Sequence, residues 1–393
     1  MAFLCRHKYS FVKIIINAIS AKKNAGGAYQ ISSNFILESL EHPDVEWYWW
    51  VSEDLDATIG DYFSDHRNTR YFVFPTQPDF KHSYFKVKRK LALLEKEIKP
   101  DLIYSITAPS YFFFKTIEVM RFTNPYITHL NKYAWSLVPL KRKIRDAFYH
   151  YCQRRMISKA KYFVTQSKTC KKGIIRISGV EDSHVQVVSN VLPAAFRTAE
   201  RSHLPGDDYW IDVACVGAPF FHKNFDILPD VLCELHNIGL DNIRFHVTLP
   251  EDNLIYRNIL HRLDEYGLKN RVVTHGRCTQ QYLIDVYRRC RLCFQPTLLE
   301  VFSASAIEAM YFQLPTVATS LPFNQEVFQD SCLYYNPRNA VSAARQFARL
   351  VKDVDLRSEL CRRMDKRLAV YGDYSNHFNS TKEYLIKVAK KSI

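Results

Sequence analysis

From Phe294 to Thr319 the chain reads FQPTLLEVFSASAIEAMYFQLPTVAT, and no other stretch limits its possible folds as strongly. A short run from Arg291 to Phe294 stops at a turn signal, Pro296. A loop carrying Glu300 follows. Ala304 to Phe312 then reads as a compact helix, with Ile307, Met310 and Tyr311 at helical spacing. A second apolar run, Pro315 to Thr319, reads as another buried strand. Strand, loop, helix and strand in that order build parallel sheets. Two carboxylates frame the helix, Glu300 before it and Glu308 within its early turns. The first N–H groups of such a helix lack partners and carry partial positive charge, which favours a phosphate at Ser303 and Ala304. A pair of phosphates between two carboxylates that accept from hydroxyls describes a nucleotide-sugar site. The same residues admit a plainer reading, because Ser305 and Glu308 have the spacing of a capping box.

The alternation recurs along the whole chain. In the first half, strands are expected at Val12–Ile19, Glu46–Val51, Tyr71–Phe74, Asp101–Ile106, Pro125–Leu130, Tyr162–Ser167 and Val185–Ser189. Helical patterns lie between them, including His82–Lys99 and the long basic stretch Trp135–Lys161. In the second half, Trp210–Val216, Ile243–Leu249 and Val272–Gly276 read as strands. Phe225–Ile238, Asn253–Tyr266, Gln280–Cys290, Ala340–Val354 and Leu356–Tyr371 read as helices. Residues 191–209, with Pro193, Pro205 and Gly206, read as a linker. At 393 residues one core is unexpected. The division is therefore a Rossmann-like domain over 1–190, a second over 191–372, and a last helix in 373–393.

Composition narrows the partners. Apolar residues make up 47% of the chain, the level of a globular protein, and no run approaches the length of a membrane span. No signal peptide is read at the N-terminus, so the ten cysteines are expected to be reduced thiols in the cytoplasm. Cys290 and Cys293 read as two core thiols on a strand edge, with no second pair at zinc spacing. The net charge is +14, and residues 1–195 hold 29 Lys and Arg against 17 Asp and Glu. That half calls for an acidic partner: membrane phospholipid, a diphosphate-linked acceptor or nucleic acid. No nucleic-acid motif is recognisable, so none is expected. Asp54-Leu55-Asp56 has a metal-binding spacing but reads as a solvated loop, and no metal or cofactor is expected. Gly26 and Gly27, between a strand and a helix, either let backbone approach a ligand or simply turn the chain. No Ser-His-Asp or Cys-His set is apparent.

Glu300-x7-Glu308, followed by Ala309-Met310 and Pro315-Thr316-Val317, resembles the E-x7-E signature of retaining GT-B glycosyltransferases, glycosyltransferase family 4 (group 1). Gly217-x5-Lys223-Asn224, Val272 to Gly276, Glu326-Val327 and Leu333 to Pro337 continue the resemblance in order. Ser303 and Gln313 stand where glycine is common. Ala218, Val191 and Leu130 replace an Arg, a Gly and an Asp. The resemblance implies two Rossmann-like domains facing across a cleft, with a C-terminal helix crossing back. It implies metal-independent hexosyl transfer from a UDP- or GDP-linked donor to a glycan or polyprenyl-diphosphate-linked acceptor, in surface polysaccharide biosynthesis. By the same resemblance His129 and Glu300 lie at the sugar and Glu308 at the ribose, while Lys223, Gly26, Gly27, Ser303 and Ala304 hold the diphosphate. A cytoplasmic protein is implied, with peripheral contact to the inner face of the plasma membrane through the basic half. A non-catalytic nucleotide or sugar binder of the same fold and a nucleotide-sugar epimerase are the alternatives.

Overall fold

The computed structural model describes residues 11–23, 27–76, 83–204 and 209–391; Gly26, His82, Pro205 and Gly206 lie outside them. Seven strands form the first sheet: β1 (Lys13–Ala18), β2 (Glu46–Ser52), β3 (Tyr71–Phe74), β4 (Leu102–Ser105), β5 (Glu118–Arg121), β6 (Tyr162–Thr165) and β7 (Val185–Val187). Their order is β3-β2-β1-β4-β5-β6-β7, and every pairing is parallel. Helices α1 (Gly27–Ser39), α2 (Glu53–Ile59), α3 (Tyr84–Ile98), α4 (Pro125–Thr128), α5 (Lys132–Ser136), α6 (Leu140–Ile157) and α7 (Lys168–Ser178) connect them, and α8 (Ala194–Arg197) leads out. The strands are apolar on both faces because helices cover both. Ile14 and Ile16 pack with α1, whereas Ile15 packs with α3.

The second sheet has six parallel strands: β8 (Ile211–Cys215), β9 (Ile243–Val247), β10 (Val272–Thr274), β11 (Leu292–Gln295), β12 (Thr316–Thr319) and β13 (Leu333–Tyr335). They run in the order β10-β9-β8-β11-β12-β13. Helices α9 (Leu228–Asn237), α10 (Leu254–Asp264), α11 (Gln280–Arg289), α12 (Ala304–Tyr311), α13 (Pro322–Phe328), α14 (Ala340–Lys352) and α15 (Val354–Leu368) flank them. The last helix, α16 (Tyr374–Lys390), returns to the first domain. Its Phe378, Leu385 and Val388 join the first core, with Phe378 4.6 Å from the Phe35 ring. Lys382 also reaches Asp44 at 2.9 Å.

The carboxyl ends of the two sheets face each other. The segments that follow β5, β6 and β7 touch those that follow β8, β11 and β12, as well as the start of α16. That is where ligands of open parallel sheets bind.

Four local readings are corrected. Pro125–Leu130 is not a strand. Its β-branched and aromatic residues mimic one, but Asn124 accepts a hydrogen bond from Tyr126 N at 3.1 Å and Pro125 occupies the first turn, so a short helix forms. The strand in this position is β5, four residues earlier. Asp54 and Asp56 lie not in a loop but in the first turn of α2, capped by Ser52, where acids are favoured. The long helix over 135–161 is broken before Leu140 by Pro139. The linker holds a turn of helix, α8, whose Phe196 is buried.

Candidate active site

On the second domain, β8 runs out at Gly217. A Cβ there would stand 3.4 Å from Lys223 Cδ and 3.3 Å from the Phe225 ring, so glycine lets the Lys223 stem fold back over the strand end. Asn224 turns the chain in a left-handed conformation, φ 59°. It is fully buried, donates to Pro296 O at 3.0 Å and accepts from Arg338 at 2.6 Å. These bonds fix Lys223 against Glu300, and the ammonium and carboxylate form a half-buried ion pair.

Glu300 sits on the loop between β11 and α12. Leu298 and Leu299 anchor that loop in an apolar cluster with Ala134, Leu321 and Phe323. The first domain grips it twice. Asn131 Nδ2 donates to Leu298 O at 2.7 Å, and His129 Nε2 donates to Glu300 O at 2.7 Å. A carbonyl only accepts, so the His129 proton is on Nε2. Burial lowers the His129 pKa below its ordinary value, with the Glu300 carbonyl opposing, and the ring is neutral at pH 7.

Helix α12 begins at Ser303, whose side chain caps nothing, and Ala304 is exposed at its start. Ser303 Oγ lies 2.9 Å from Ser305 Oγ, and Ser305 in turn bonds Gln295 at 3.1 Å. The capping box therefore does not form. Glu308 instead accepts from Tyr287 OH at 2.8 Å. Glu308 is 7% exposed, and burial pushes its pKa up to about 7 against the opposing pull of Tyr287 and Lys223. The helix ends with Gln313 at φ 52°. Gln313 N bonds Met310 O and Leu314 N bonds Ala309 O, the paired bonds of a left-handed helix stop. Gln313 thus adopts the conformation glycine would supply, and Asp365 holds its side chain at 2.7 Å.

Lys223, Glu300 and His129 form one connected set, and Ser303, Ala304 and Glu308 follow on the adjoining helix. Gly27 starts α1 beyond the end of β1, with open space where a Cβ would stand. It belongs to the first domain and is not part of the connected set among the described residues. Gly26 lies outside the described residues. Asp54 accepts from Lys23 N at 2.9 Å, and Asp56 pairs with Arg67 at 2.8 Å, so both acids hold the backbone and side chains around them.

Tyr126 and His222, in the interdomain contact, are not singled out by sequence, and Glu326 falls within the family resemblance without a role of its own. Tyr126 OH meets His222 Nδ1 at 2.9 Å across the cleft. Burial, with Lys223 and Arg142 nearby, lowers the His222 pKa to about 3, so it too is neutral. Glu326 crosses from α13 to the start of α7, accepting from Lys168 N at 2.5 Å and Thr169 N at 2.8 Å. A carboxylate there meets a helix's positive end. Only the capping serine, Ser167, signals that end in the sequence. Its partner is 158 positions away.

Comparison with known proteins bears on the family and the fold. Residues 212–368 match the family model described as Glycosyl transferases group 1, and this segment is a group 1 glycosyltransferase domain. The O-antigen chain mannosyltransferase RfbU of Salmonella typhimurium is 20% identical over 236 residues, 59% of this chain and 62% of that protein. The chain thus matches less than two thirds of that relative's length. A glycosyltransferase from Rickettsia africae superposes with a TM-score of 0.70 at 12% identity, over 97% of this chain and 100% of that one. HepE of Anabaena, solved in complex with UDP and glucose, gives 0.67 at 15% identity over 96% of this chain and 100% of that one. These likenesses establish the fold: two Rossmann-like domains in the GT-B arrangement.

Proposed function

We propose that this chain, a GT-B protein with a group 1 domain, is a retaining glycosyltransferase. It moves a hexose from a UDP- or GDP-linked donor to a glycan or polyprenyl-diphosphate-linked acceptor. The observation that carries this reading is the Lys223–Glu300 pair beside the uncapped start of α12, with the buried Glu308 on the same helix. In this scheme the donor diphosphate replaces Glu300 as the partner of Lys223 and takes the open amides of Ser303 and Ala304. Gly27 approaches it from the first domain, and Gly26, outside the described residues, is proposed to share that role. Glu308 accepts from the ribose hydroxyls, and Glu300, released from Lys223, holds the sugar hydroxyls. His129 positions Glu300 through its backbone, so the sugar end of the site depends on both domains.

The C1–O bond to the diphosphate breaks first. The leaving group's charge is met by Lys223 and the helix amides, without a metal ion. The acceptor hydroxyl bonds to C1 on the same face and passes its proton to a departing phosphate oxygen. Support for the donor class comes from HepE, which has been solved with UDP and with UDP-glucose. Support for a role in surface polysaccharide biosynthesis comes from RfbU, which acts on O-antigen chains.

The acceptor side is proposed to rest on an anionic membrane on the cytoplasmic face. No described helix is long and apolar enough to cross a membrane. Helix α6, however, leaves Leu140, Ile144, Phe148 and Tyr151 exposed by 76%, 74%, 72% and 61%. Those positions share one helical stripe. Lys141, Lys143, Arg145, Arg154 and Arg155 surround it, and Asp146 is the one acid of the helix. An apolar stripe between cations suits a helix lying in the lipid interface.

Turnover of a UDP-, GDP- and TDP-sugar panel tests the assignment. The expected outcome is nucleoside diphosphate release with one donor, abolished by Glu308→Ala at an unchanged melting temperature. Full activity in Glu308→Ala contradicts the site. Binding without turnover of any donor, across acceptors, points instead to a non-catalytic protein of the same fold.

A further inference from the structure

Strand β5 ends at Arg121, and no acid among the described residues pairs with that side chain. Arg121 is 4% exposed, yet its guanidinium makes no hydrogen bond or ion pair with any described residue. Other buried arginines have an acid beside them: Arg271 pairs with Asp241 through Nη2, although its Nη1 has no partner, and the partly buried Arg244 pairs with Asp212 at 2.7 Å. A guanidinium carries five N–H donors and stays charged, so one with no acid beside it favours an anionic ligand. The groups that feel its charge are Tyr104, Cys170, Tyr374 and His377, and none is a carboxylate. Tyr374 adds a second vacancy, since its hydroxyl is buried without a hydrogen-bond partner. His377 donates through Nδ1 to Ser189 O at 2.9 Å, which orders the start of α16 beside this group.

The place is at the cleft. Arg121 lies at the carboxyl end of β5, between β4 and β6, on the edge whose following segments reach the second domain. It is separate from the donor set, because Lys223, Glu300 and Glu308 all belong to the second domain and find their partners there and in His129.

We infer that Arg121 and Tyr374 form a subsite for a phosphate or diphosphate group carried by the acceptor. The inference rests on the glycosyltransferase reading above and adds to it the part of the acceptor that is recognised. The planar guanidinium matches two phosphate oxygens at once, and the Tyr374 hydroxyl donates to a third.

The test uses the intact chain. UDP and GDP are titrated first, and their binding reads the donor site alone. With the nucleotide saturating, inorganic pyrophosphate, geranyl diphosphate and glucuronate are titrated in separate arms. Both diphosphates are expected to bind beside the nucleotide, with geranyl diphosphate at least as tight as pyrophosphate. Arg121→Gln should weaken them by about tenfold or more, the loss expected for a hydrogen bond to a charged group. Arg121→Lys should keep part of the affinity, and Tyr374→Phe should weaken it less than Arg121→Gln. Because the guanidinium has no hydrogen-bond partner among the described residues, the melting temperature of Arg121→Gln should stay level or rise. The inference is overturned by equal diphosphate affinity in Arg121→Gln, by loss of diphosphate binding once nucleotide is bound, by glucuronate binding in its place, by pyrophosphate binding more tightly than geranyl diphosphate, or by a lowered melting temperature in both variants. If neither nucleotide binds while Arg121-dependent diphosphate binding persists, the donor reading falls and this subsite stands.

Discussion

Glu308 is the residue whose environment says most about chemistry. Its carboxyl is enclosed by α12, Tyr287 and the apolar second core, and burial holds its pKa near 7 rather than near the usual 4.5. The folded state therefore keeps a proton that the unfolded chain gives up. Its contribution to stability is present at low pH and is lost as pH rises from about 4.5 to about 7. Ribose hydroxyls donate to the ionised form. Donor affinity is thus expected to increase as pH rises through about 7 and then level off. Calorimetric titration of nucleotide at several pH values checks this. Glu308→Gln should remove the pH dependence, and a dependence that survives in that variant refutes the role given to Glu308. The spacing of Glu300 and Glu308 is legible in sequence because both lie within one strand–loop–helix unit. Tyr287 is not, because nothing local marks a tyrosine 21 positions earlier as the partner of Glu308. Arg121 escapes for a related reason. A short strand ending in Arg is unremarkable until its neighbours are seen to lack an acid.

At the scale of elements, patterns repeated over several turns or strands read correctly, and so does the short β3, whereas α4 and β5 do not. The fully apolar strands of both sheets, and helices such as α10 and α11, fall where period and turn signals put them. The four-residue helix α4 is hidden by strand-forming residues, and β5, equally short and carrying Glu118 and Arg121, shows no strand pattern in the sequence. Helix α6 shows what periodicity adds once burial is known. Its apolar residues would ordinarily face a core, but Gln153 and Ile157 are its buried positions while Leu140, Ile144 and Phe148 are bare. Binding to vesicles containing anionic lipid is expected, weakening between about 0.05 and 0.5 M salt as screening shortens the reach of the cations. Replacing Ile144 and Phe148 by Ser should cost roughly 1–2 kcal/mol each in partitioning, on the order of tenfold per residue. Co-sedimentation that is insensitive to both changes refutes the membrane face.

At the scale of the molecule, two parallel sheets present their carboxyl ends to each other, and α16 ties the chain's end to its first core. The order of elements makes this legible, since only a doubled alternation of strand and helix yields two such sheets. The closeness of the domains does not follow from any pattern. It comes from single bonds between distant positions: His129 to the Glu300 carbonyl, Asn131 to the Leu298 carbonyl, and Glu326 to the amides of α7. These make the loop of Glu300 a shared element, held below by Asn224 and Lys223 and above by the first domain. A donor diphosphate between Lys223 and the start of α12 is the claim on which this account turns. Titration of the intact chain with UDP, GDP and TDP tests it most directly. One of them is expected to bind at a single site, and Lys223→Ala is expected to weaken it by about tenfold or more without lowering the melting temperature. No binding by any of the three, or undiminished affinity in Lys223→Ala, would contradict it.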